Sequence, residues 1–217
     1  MAAEELVATA ARRAAFLDRD GVINVDHGYV HRIADFAFVP GTLAAAAELA
    51  HRGLLLVVVT NQAGIARGYY GEDDFARLTH WMEGRFAEAG APLAAVYHCP
   101  HHATEGQGAL RVACACRKPA PGMFHAAARD LHVDLARSVV FGDKCDDMRA
   151  GSAAGVGLRV LLGKDGLAAP AEACADAPPS LRFASLAEAV ASGALRRALD
   201  MPLAPVAPHA RSAQSPT

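Results

Sequence analysis

Short, continuously apolar segments recur along this chain, and longer segments with helical periodicity lie between them. Five apolar segments have the length of a strand: residues 14–17, 54–59, 94–98, 138–141 and 157–162. Continuous apolar runs of this length are typical of parallel strands that are buried on both faces. Helices are predicted at residues 43–51, 72–89, 122–131 and 186–191, with a further helix opening at 146–147. This alternation predicts an α/β fold with a doubly wound, mainly parallel sheet and helices on both faces.

The predicted elements fill most of the chain. A length of 217 residues suits one α/β domain with short extensions. We assign residues 14–200 to this domain and residues 1–13 to an N-terminal extension. Residues 201–217 are rich in Pro, Ala and Ser, which predicts a disordered tail. No long insertion follows the first or the second predicted strand, so we expect no large cap domain.

Composition and charge exclude several classes of partner. Hydrophobic residues make up 53% of the chain, and the formal net charge of -2 offers no basic surface for nucleic acid. No apolar run reaches the roughly 18 residues that a membrane-spanning helix needs. Residues 1–13 lack the apolar segment of a secretory signal. We therefore expect a cytoplasmic monomer that acts on a small molecule, without nucleic acid or membrane as a partner.

The cysteines fall into two groups. The chain has five cysteines, and an odd number in a chain without a secretory signal argues against a disulfide framework. Cys145 and Cys174 stand apart from the others, and we interpret them as ordinary residues. The remaining three lie in a loop that is also rich in histidine, which favours metal binding.

That loop supplies a complete set of zinc ligands. Cys99, His101, Cys114 and Cys116 offer three sulfurs and one imidazole, the donors of a closed tetrahedral Zn²⁺ site. The alternative is a group of free buried thiols. Zinc would staple residues 99–116 into an ordered loop, although much of this segment is Gly and Ala. No role is assigned to the neighbouring His98 and His102.

Polar side chains stand directly after three of the predicted strands, and two cations lie in a loop between them. They are Asp18 and Asp20, Thr60 and Asn61, Asp143 and Lys144, with Arg117 and Lys118 in the loop. The carboxyl ends of parallel strands meet at one edge of a sheet, where ligands bind. Carboxylates, a hydroxyl and a lysine gathered there suit Mg²⁺-assisted phosphoryl transfer, with Asp18 as a nucleophile. Taken alone, Asp18 and Asp20 could equally form a turn with two solvated acids.

These residues fall into four motifs in order. They are Asp18-x-Asp20-Gly21, Thr60-Asn61-Gln62, Arg117-Lys118-Pro119 and Gly142-Asp143-Lys144-x-x-Asp147, and they resemble the four motifs of the haloacid dehalogenase (HAD) superfamily. The longer strings FLDRDGVINVDHGYVH, TNQAGIARG, CPHH, CACRKPAPGM and GDKCDDM resemble one family within it closely. That family is the D-glycero-D-manno-heptose 1,7-bisphosphate 7-phosphatases, which are related to the histidinol-phosphatases. The resemblance covers about residues 14–163 and implies a HAD-like Rossmannoid fold.

Catalytic roles follow from the resemblance position by position. It implies that Asp18 attacks phosphorus, and that Asp20 protonates the departing oxygen and then deprotonates the hydrolytic water. Thr60 and Lys118 would hold the transferring phosphoryl group. Asp18, the main-chain carbonyl of Asp20, and Asp143 would ligate catalytic Mg²⁺. The same zinc ligand set as in the loop above occurs in this family, where the metal is structural.

The resemblance also implies a set of substrate contacts. They are Asp26, His27, Gly28, Tyr29, Asn61, Gln62, Arg117 and Lys144. Arg117 is suited to the second, non-reacting phosphate because its planar fork binds two oxygens, while the alternative is a surface arginine. Asp146 and Asp147 are interpreted as acids that start a helix or support the ligands, in preference to direct ligands.

The implied function is a Mg²⁺-dependent phosphatase that removes the C7 phosphate of heptose 1,7-bisphosphate through an aspartyl-phosphate. Such an enzyme serves nucleotide-activated heptose synthesis for surface polysaccharide such as lipopolysaccharide. A histidinol-phosphate phosphatase is the alternative enzyme, and residues 26–29 favour the heptose over it. A catalytically inactive zinc-bearing interaction module would need a broken motif, and all four motifs are intact.

Overall fold

The architecture is taken from a computed structural model that describes residues 11–163 and 174–200. The strands are β1 (Ala14–Leu17), β2 (Leu55–Asn61), β3 (Leu93–Cys99), β4 (Val139–Gly142), β5 (Leu158–Leu162) and β6 (Leu181–Phe183). The helices are α1 (Thr42–His51), α2 (Ala63–Ala66), α3 (Glu72–Glu88), α4 (Gly122–Leu131), α5 (Cys145–Ala154), α6 (Leu186–Ala191) and α7 (Gly193–Asp200). The predicted tail and most of the predicted N-terminal extension lie outside the described residues.

The strands form one six-stranded sheet in the order β3-β2-β1-β4-β5-β6, and every adjacent pair is parallel. The predicted doubly wound α/β fold is therefore confirmed. β1 lies between β2 and β4, so the strand order changes direction beside it. In open α/β sheets this is the position of the ligand crevice, at the carboxyl ends of the strands.

Alternate residues of β1 enter two different cores. Ala15 and Leu17 belong to the core beneath α1, α3 and α6, while Ala14 and Phe16 belong to the core beneath α4 and α5. All four residues are fully buried. This explains why the strand reads as a continuous apolar run, since each face of the sheet is covered by helices.

The site is covered only by loops. Between β1 and α1 the described chain forms a single 3-10 turn, Ile33–Asp35, and between β2 and α3 it forms only the four-residue α2. The expected absence of a large cap domain agrees with these connections. No helix in the described ranges is long and apolar enough to cross a membrane.

Three of these elements were not predicted from the sequence, namely the four-residue α2, β6 and α7. β6 has only three residues and α7 follows α6 after a single residue, so neither leaves a long apolar pattern. The interpretation of Cys145 and Cys174 as ordinary residues is wrong, because the two form a disulfide. They are 29 positions apart, and the chain after β5 returns beside the start of α5. This return is a tertiary feature that the spacing of the cysteines does not reveal.

Candidate active site

One open cavity collects the predicted site residues at the carboxyl ends of β1, β2 and β4. Its lining includes Asp18, Asp20, Asp26, Gly28, Tyr29, Thr60, Asn61, Gln62, Arg117, Lys118 and Lys144. His27 instead lines a neighbouring cavity on the other side of its loop, with His31 and Arg32. The structure thus brings together every predicted catalytic residue and every predicted substrate contact except His27.

Lys118 lies at the centre of the buried part of the cavity and is only 3% exposed. Its Nζ donates to the Val59 carbonyl at 2.8 Å and to Asp147 Oδ1 at 2.5 Å, and it lies 3.0 Å from Asp18 Oδ1. Burial alone would lower the pKa of Lys118, but Asp147 and Asp18 outweigh it and raise the pKa. Lys118 is therefore held as a cation, and Asp147, the last residue of the fourth motif, is its strongest partner.

Asn61 fixes the main chain of Lys118. Its Nδ2 donates to the Lys118 carbonyl and its Oδ1 accepts from the Lys118 amide, both at 3.0 Å. Both the amide nitrogen and the oxygen of the Asn61 side chain are thus occupied by the main chain of Lys118. Asn61 lines the cavity, but this geometry favours a positioning role over a direct substrate contact.

Asp18 is 6% exposed and presents its carboxylate at the floor of the cavity. Both hydrogen bonds that the described residues make to it end on Oδ1, from the Arg19 amide at 2.7 Å and from Lys118. Burial raises the pKa of Asp18 and the nearby Asp147 carboxylate adds to this, against the opposing effect of Lys118. A carboxylate with one oxygen fixed and the other directed to a cavity is suited to nucleophilic attack.

Asp143 completes a group of three carboxylates that could hold a cation. Oxygens of Asp18, Asp143 and Asp147 lie within 4.8 Å of one another. Asp143 Oδ1 is buried without a hydrogen-bond partner among the described residues. Burial, followed by the charge of Asp18, raises the pKa of Asp143 to about 7. An orphaned carboxylate oxygen beside a second carboxylate fits a hard divalent cation such as Mg²⁺.

Two glycines permit this crowding of carboxylates. A Cβ at Gly21, whose φ is +88°, would lie 2.3 Å from Asp143 Oδ2. A Cβ at Gly142 would lie 2.2 Å from the Cβ of Asp147. Only a residue without a side chain fits at either position, so the glycines of the first and last motifs are explained by close approach.

Asp20 is held by donors from three side chains. Arg19, Asn24 and Gln62 donate to its carboxylate at distances between 2.9 and 3.3 Å. Sequence reasoning assigned no role to Arg19, although this side chain is only 1% exposed and lies between the two aspartates. Its position in the motif is visible in the sequence, but the direction of a side chain in a turn is not.

Gln62 links Asp20 to the phosphate-binding hydroxyl of the second motif. Its Nε2 donates to Thr60 Oγ1 at 2.8 Å as well as to Asp20, and its Oε1 accepts from the Tyr70 hydroxyl at 2.5 Å. Burial raises the pKa of Tyr70 to about 12, so this hydroxyl stays a donor. Gln62 is 2% exposed and its amide is fully paired. Like Asn61, it is placed to orient the machinery.

The outer part of the cavity carries exposed and half-buried cations beside an exposed aromatic ring. Lys144 Nζ lies 3.4 Å from Asp26 Oδ2, and its side chain is 60% exposed. Arg117 Nη1 donates to the His101 carbonyl at 3.2 Å. Arg67, which sequence reasoning missed, lies with Cζ 5.7 Å from the ring centroid of Tyr29. Three cations at one rim can bind a second phosphate group.

The four predicted zinc ligands converge in the loop after β3. The Sγ atoms of Cys99, Cys114 and Cys116 are 3.2–3.4 Å apart, and His101 Nδ1 is 3.4 Å from Cys116 and 3.6 Å from Cys99. Ligands at the usual Zn–S and Zn–N distances of a tetrahedral site would be about 3.5–3.8 Å apart. The observed donor set and its spacing therefore fit one Zn²⁺ ion.

The pKa values of the thiols are shifted in different directions within the cluster. Burial raises the pKa of Cys99, and the neighbouring thiol of Cys116 adds to the effect. Burial acts in the same direction at Cys114, but hydrogen bonds from Cys116, the main chain of Arg117 and Cys99 outweigh it and lower its pKa to about 7. Burial also raises the pKa of Cys116, so binding of Zn²⁺, which requires thiolates, would release protons from this cluster.

His98 and His102, which had no assigned role, lie near the loop. The Nε2 of His98 is 2.9 Å from Glu72 Oε2, and its ring packs on Phe75 with centroids 4.1 Å apart. His102 Nδ1 accepts from the Glu105 amide at 3.0 Å. Neither histidine is part of the thiol cluster.

Comparison with known proteins agrees with this geometry. Residues 115–189 match the HAD-hydrolase-like family model. The D-glycero-beta-D-manno-heptose-1,7-bisphosphate 7-phosphatase of Vibrio cholerae is 54% identical over 152 residues, which cover 70% of this chain and 82% of that protein. The D-glycero-alpha-D-manno-heptose-1,7-bisphosphate 7-phosphatase of Burkholderia mallei is 53% identical, covering 69% and 79%.

Solved structures show the same relationship. The D,D-heptose 1,7-bisphosphate phosphatase of B. bronchiseptica, in complex with magnesium and phosphate, is 32% identical with a TM-score of 0.69. The match covers 82% of this chain and 96% of that one. A HAD-like phosphatase from Mesorhizobium loti is 40% identical with a TM-score of 0.67, covering 73% and 76%.

The sheet order, the aspartate motif at the end of β1 and these matches define a phosphatase of the HAD superfamily. Within that superfamily, the chain belongs to the D-glycero-D-manno-heptose 1,7-bisphosphate 7-phosphatase family.

Proposed function

We propose that this chain removes the C7 phosphate of D-glycero-D-manno-heptose 1,7-bisphosphate, with Mg²⁺ as its catalytic metal, in the synthesis of nucleotide-activated heptose. The observation that carries the proposal is the pairing of Asp18 with the buried Lys118 in a cavity whose rim holds Arg117 and Lys144. A nucleophile and cation on the floor suit one phosphate, and cations at the rim suit a second. The family relationship supplies the sugar.

The first half of the reaction transfers the phosphoryl group to the protein. A carboxylate oxygen of Asp18 forms a bond to phosphorus, and the bond between phosphorus and the C7 oxygen breaks. Asp20 gives a proton to that oxygen, so the sugar leaves as an alcohol. Lys118 and the Thr60 hydroxyl bind the oxygens of the moving group, where charge develops in the transition state.

The second half returns the protein to its starting state. Asp20 takes a proton from a water molecule as the water oxygen bonds to phosphorus. The bond between phosphorus and Asp18 breaks, inorganic phosphate is released and the carboxylate is restored. One residue thus serves as acid and then as base, since the proton it gave in the first half is recovered in the second.

Each metal has its own set of residues in this proposal. Asp18, Asp143 and the main-chain carbonyl of Asp20 would hold Mg²⁺, which supplies positive charge to the phosphoryl oxygens when bound. Asp147 would not be a ligand, because its two oxygens accept from Lys118 Nζ and from the Lys144 amide. The thiol cluster, formed by Cys99, His101, Cys114 and Cys116, would hold a structural Zn²⁺ ion.

The same loop would place a substrate contact. Arg117 follows Cys116 in the chain, and its guanidinium is bonded to the carbonyl of the ligand His101. Zinc would therefore fix Arg117 for the C1 phosphate without taking part in bond breaking. The assignment of residues 14–200 to one domain and the expectation of a cytoplasmic monomer stay predictions.

A phosphate-release assay with Mg²⁺ tests the substrate. It compares both anomers of heptose 1,7-bisphosphate with histidinol phosphate and fructose 1,6-bisphosphate. We expect kcat/KM for one heptose anomer to exceed the others at least about 100-fold. The similar relatives are named for different anomers, so the assay also decides between the two. A preference for histidinol phosphate would contradict the proposed substrate and support the alternative enzyme.

A further inference from the structure

Arg19 is among the largest fully buried side chains of the described protein, and the reaction above gives it no role. It lies in the turn between the nucleophile Asp18 and the acid Asp20. Burying a guanidinium is costly unless its charge is compensated, so the partners of Arg19 show what the burial achieves.

The main partner of Arg19 is the carboxylate of Asp20. Nε donates to Asp20 Oδ1 at 3.3 Å, and Nη2 lies 3.0 Å from Oδ1 and 2.9 Å from Oδ2. Nη2 also donates to the Val30 carbonyl at 2.7 Å. Asn24 reaches Asp20 Oδ1 at 3.0 Å and Gln62 reaches Oδ2 at 3.1 Å. Both oxygens of the carboxylate are therefore fixed in direction, with Arg19 on each of them.

The remaining contacts of Arg19 show that its orientation is set by Asp20. Nη1 is buried without a hydrogen-bond partner among the described residues. The Cζ atom lies 5.9 Å from the ring centroid of Phe75, which supports the guanidinium from one side. A buried arginine with a purely structural role is expected to use all its donors. In Arg19 the nitrogen Nη1 is left unpaired, while Nε and Nη2 make three contacts to the Asp20 carboxylate.

We propose that Arg19 is a positioning residue that orients the Asp20 carboxylate for proton transfer to the leaving oxygen. The same guanidinium donates to the Val30 carbonyl at the end of the loop that carries Asp26–Tyr29. Arg19 therefore holds both the acid and the sugar-binding loop in place. A lysine would keep the charge but lose the planar pair of donors, Nε and Nη2, that contacts the two Asp20 oxygens side by side. This inference rests on the proposed function.

The test is the dependence of rate on the leaving group. In a series of substituted phenyl phosphates, 4-nitrophenol leaves without protonation, whereas phenol needs an acid. Arg19→Lys is expected to lower kcat/KM for phenyl phosphate about tenfold more than for 4-nitrophenyl phosphate, because it disturbs only the general acid. The series contains no sugar, so changes in the loop after Asp26 do not enter.

Arg13→Lys is the matched control. Arg13 precedes β1 and donates to the main-chain carbonyls of Leu199 and Arg52, away from Asp20. It should affect all esters of the series equally. Equal losses across the series for Arg19→Lys, or no loss at all, would overturn the inference while leaving the phosphatase intact. If the unmodified protein hydrolyses none of the esters or the heptose bisphosphate, the proposed function fails and the inference falls with it.

A second measurement leaves Arg19 in place and does not depend on how well Arg19→Lys folds. In the full chain labelled with ¹⁵N-arginine, the two Nη nuclei of Arg19 should give separate signals, because its fork contacts slow rotation about the Cζ–Nε bond. Asp20→Asn should merge these signals and leave those of Arg13 unchanged. A single averaged Arg19 Nη signal in the unmodified protein would show that Arg19 is not held against the Asp20 carboxylate, and would contradict the inference.

Discussion

The carboxylate cluster at the ends of β1 and β4 and the thiol cluster after β3 are built on different principles. Asp18 and Asp147 line the cavity beside Lys118, and Asp143, whose Oδ1 has no partner among the described residues, lies next to them. The sulfurs of Cys99, Cys114 and Cys116 lie 3.2–3.4 Å apart, and with His101 they supply the four ligands that fill a tetrahedral site. The hard, open site is suited to chemistry and the soft, closed site to holding a loop.

The comparison also shows how a structural cluster can serve a reactive one. Arg117 directly follows Cys116 and donates to the main chain of His101. The Nζ of Lys118, the next residue, lies 3.0 Å from Oδ1 of Asp18, the proposed nucleophile. The loop that the thiols close therefore delivers both cations to the substrate cavity. Changes in the carboxylate cluster should remove turnover while the fold survives, and changes in the thiol cluster should damage the fold and substrate binding together.

The largest effect is expected from Asp18→Asn. An amide is a very poor nucleophile, so kcat should fall by about 10⁴-fold or more while the melting temperature changes little. Phosphate release measured alongside a thermal melt checks both parts. Asp130→Asn on the exposed end of α4 is the matched control and should keep full activity. Turnover by a purified Asp18→Asn protein within tenfold of the unmodified rate would sink the nucleophile assignment.

Cys114→Ser tests the other side of the comparison. Loss of one ligand should release zinc, lower Tm by about 5–15 °C and raise KM, because the loop that carries Arg117 loses its closure. Bound zinc measured by elemental analysis, thermal melts and kinetics are read together. Thr104→Ala, an exposed change in the same loop, should leave all three unaltered. A zinc-free variant with unchanged Tm and KM would show that the cluster does not order the loop.

A smaller effect is expected where the two regions meet, at Arg117→Lys. The charge is kept but the planar fork and the bond to the His101 carbonyl are lost. KM for the bisphosphate should rise about tenfold with kcat within about twofold, which corresponds to the loss of one charge-assisted hydrogen bond. Kinetics with the heptose 7-monophosphate provide the control, since it lacks the C1 phosphate. An equal rise in KM for both sugars would place Arg117 away from that phosphate.

Much of this organisation could be predicted from the sequence because it depends on local pattern. Five strands read as apolar runs, and the polar residues that follow several of them meet at one edge of the sheet. The zinc ligands could be found because all four lie within 18 positions of one another, from Cys99 to Cys116. β6 was missed because three residues leave no periodic signal, and α7 was missed because it follows α6 after a single residue.

The rest depends on contacts between distant segments. Asp147 pairs with Lys118 across 29 positions, and Cys145 joins Cys174 over the same separation. The burial of Arg19 follows from the path of the turn after β1, which brings its guanidinium to the Asp20 carboxylate and to the Val30 carbonyl, both of which accept hydrogen bonds from it. Such pairings arise only when the sheet is assembled, so the sequence shows the residue types but not their partners.

The smallest expected effect concerns pH and sharpens the account of the carboxylate cluster. In the metal-free fold, burial and the charge of Asp18 raise the pKa of Asp143 to about 7, above its usual value of 3.8. A raised carboxyl pKa stabilises the fold at low pH, and this contribution is lost as pH rises through about 7. Mg²⁺ binds the deprotonated form and offsets the repulsion that then remains. The increase in Tm produced by Mg²⁺ should therefore be larger at pH 8 than at pH 6.

Thermal melts with and without Mg²⁺ at pH 6, 7 and 8 measure this difference. Asp143→Asn should flatten the dependence, because the amide neither titrates nor repels Asp18. Asp130→Asn should leave it unchanged, since Asp130 lies on the exposed end of α4 and contacts Tyr97. We expect no dependence of this kind from the thiol cluster, because Mg²⁺ does not favour sulfur ligands. An equal increase in Tm at pH 6 and at pH 8 would mean that Asp143 does not lose a proton when Mg²⁺ binds. The carboxylate cluster would then not exchange a proton for the cation.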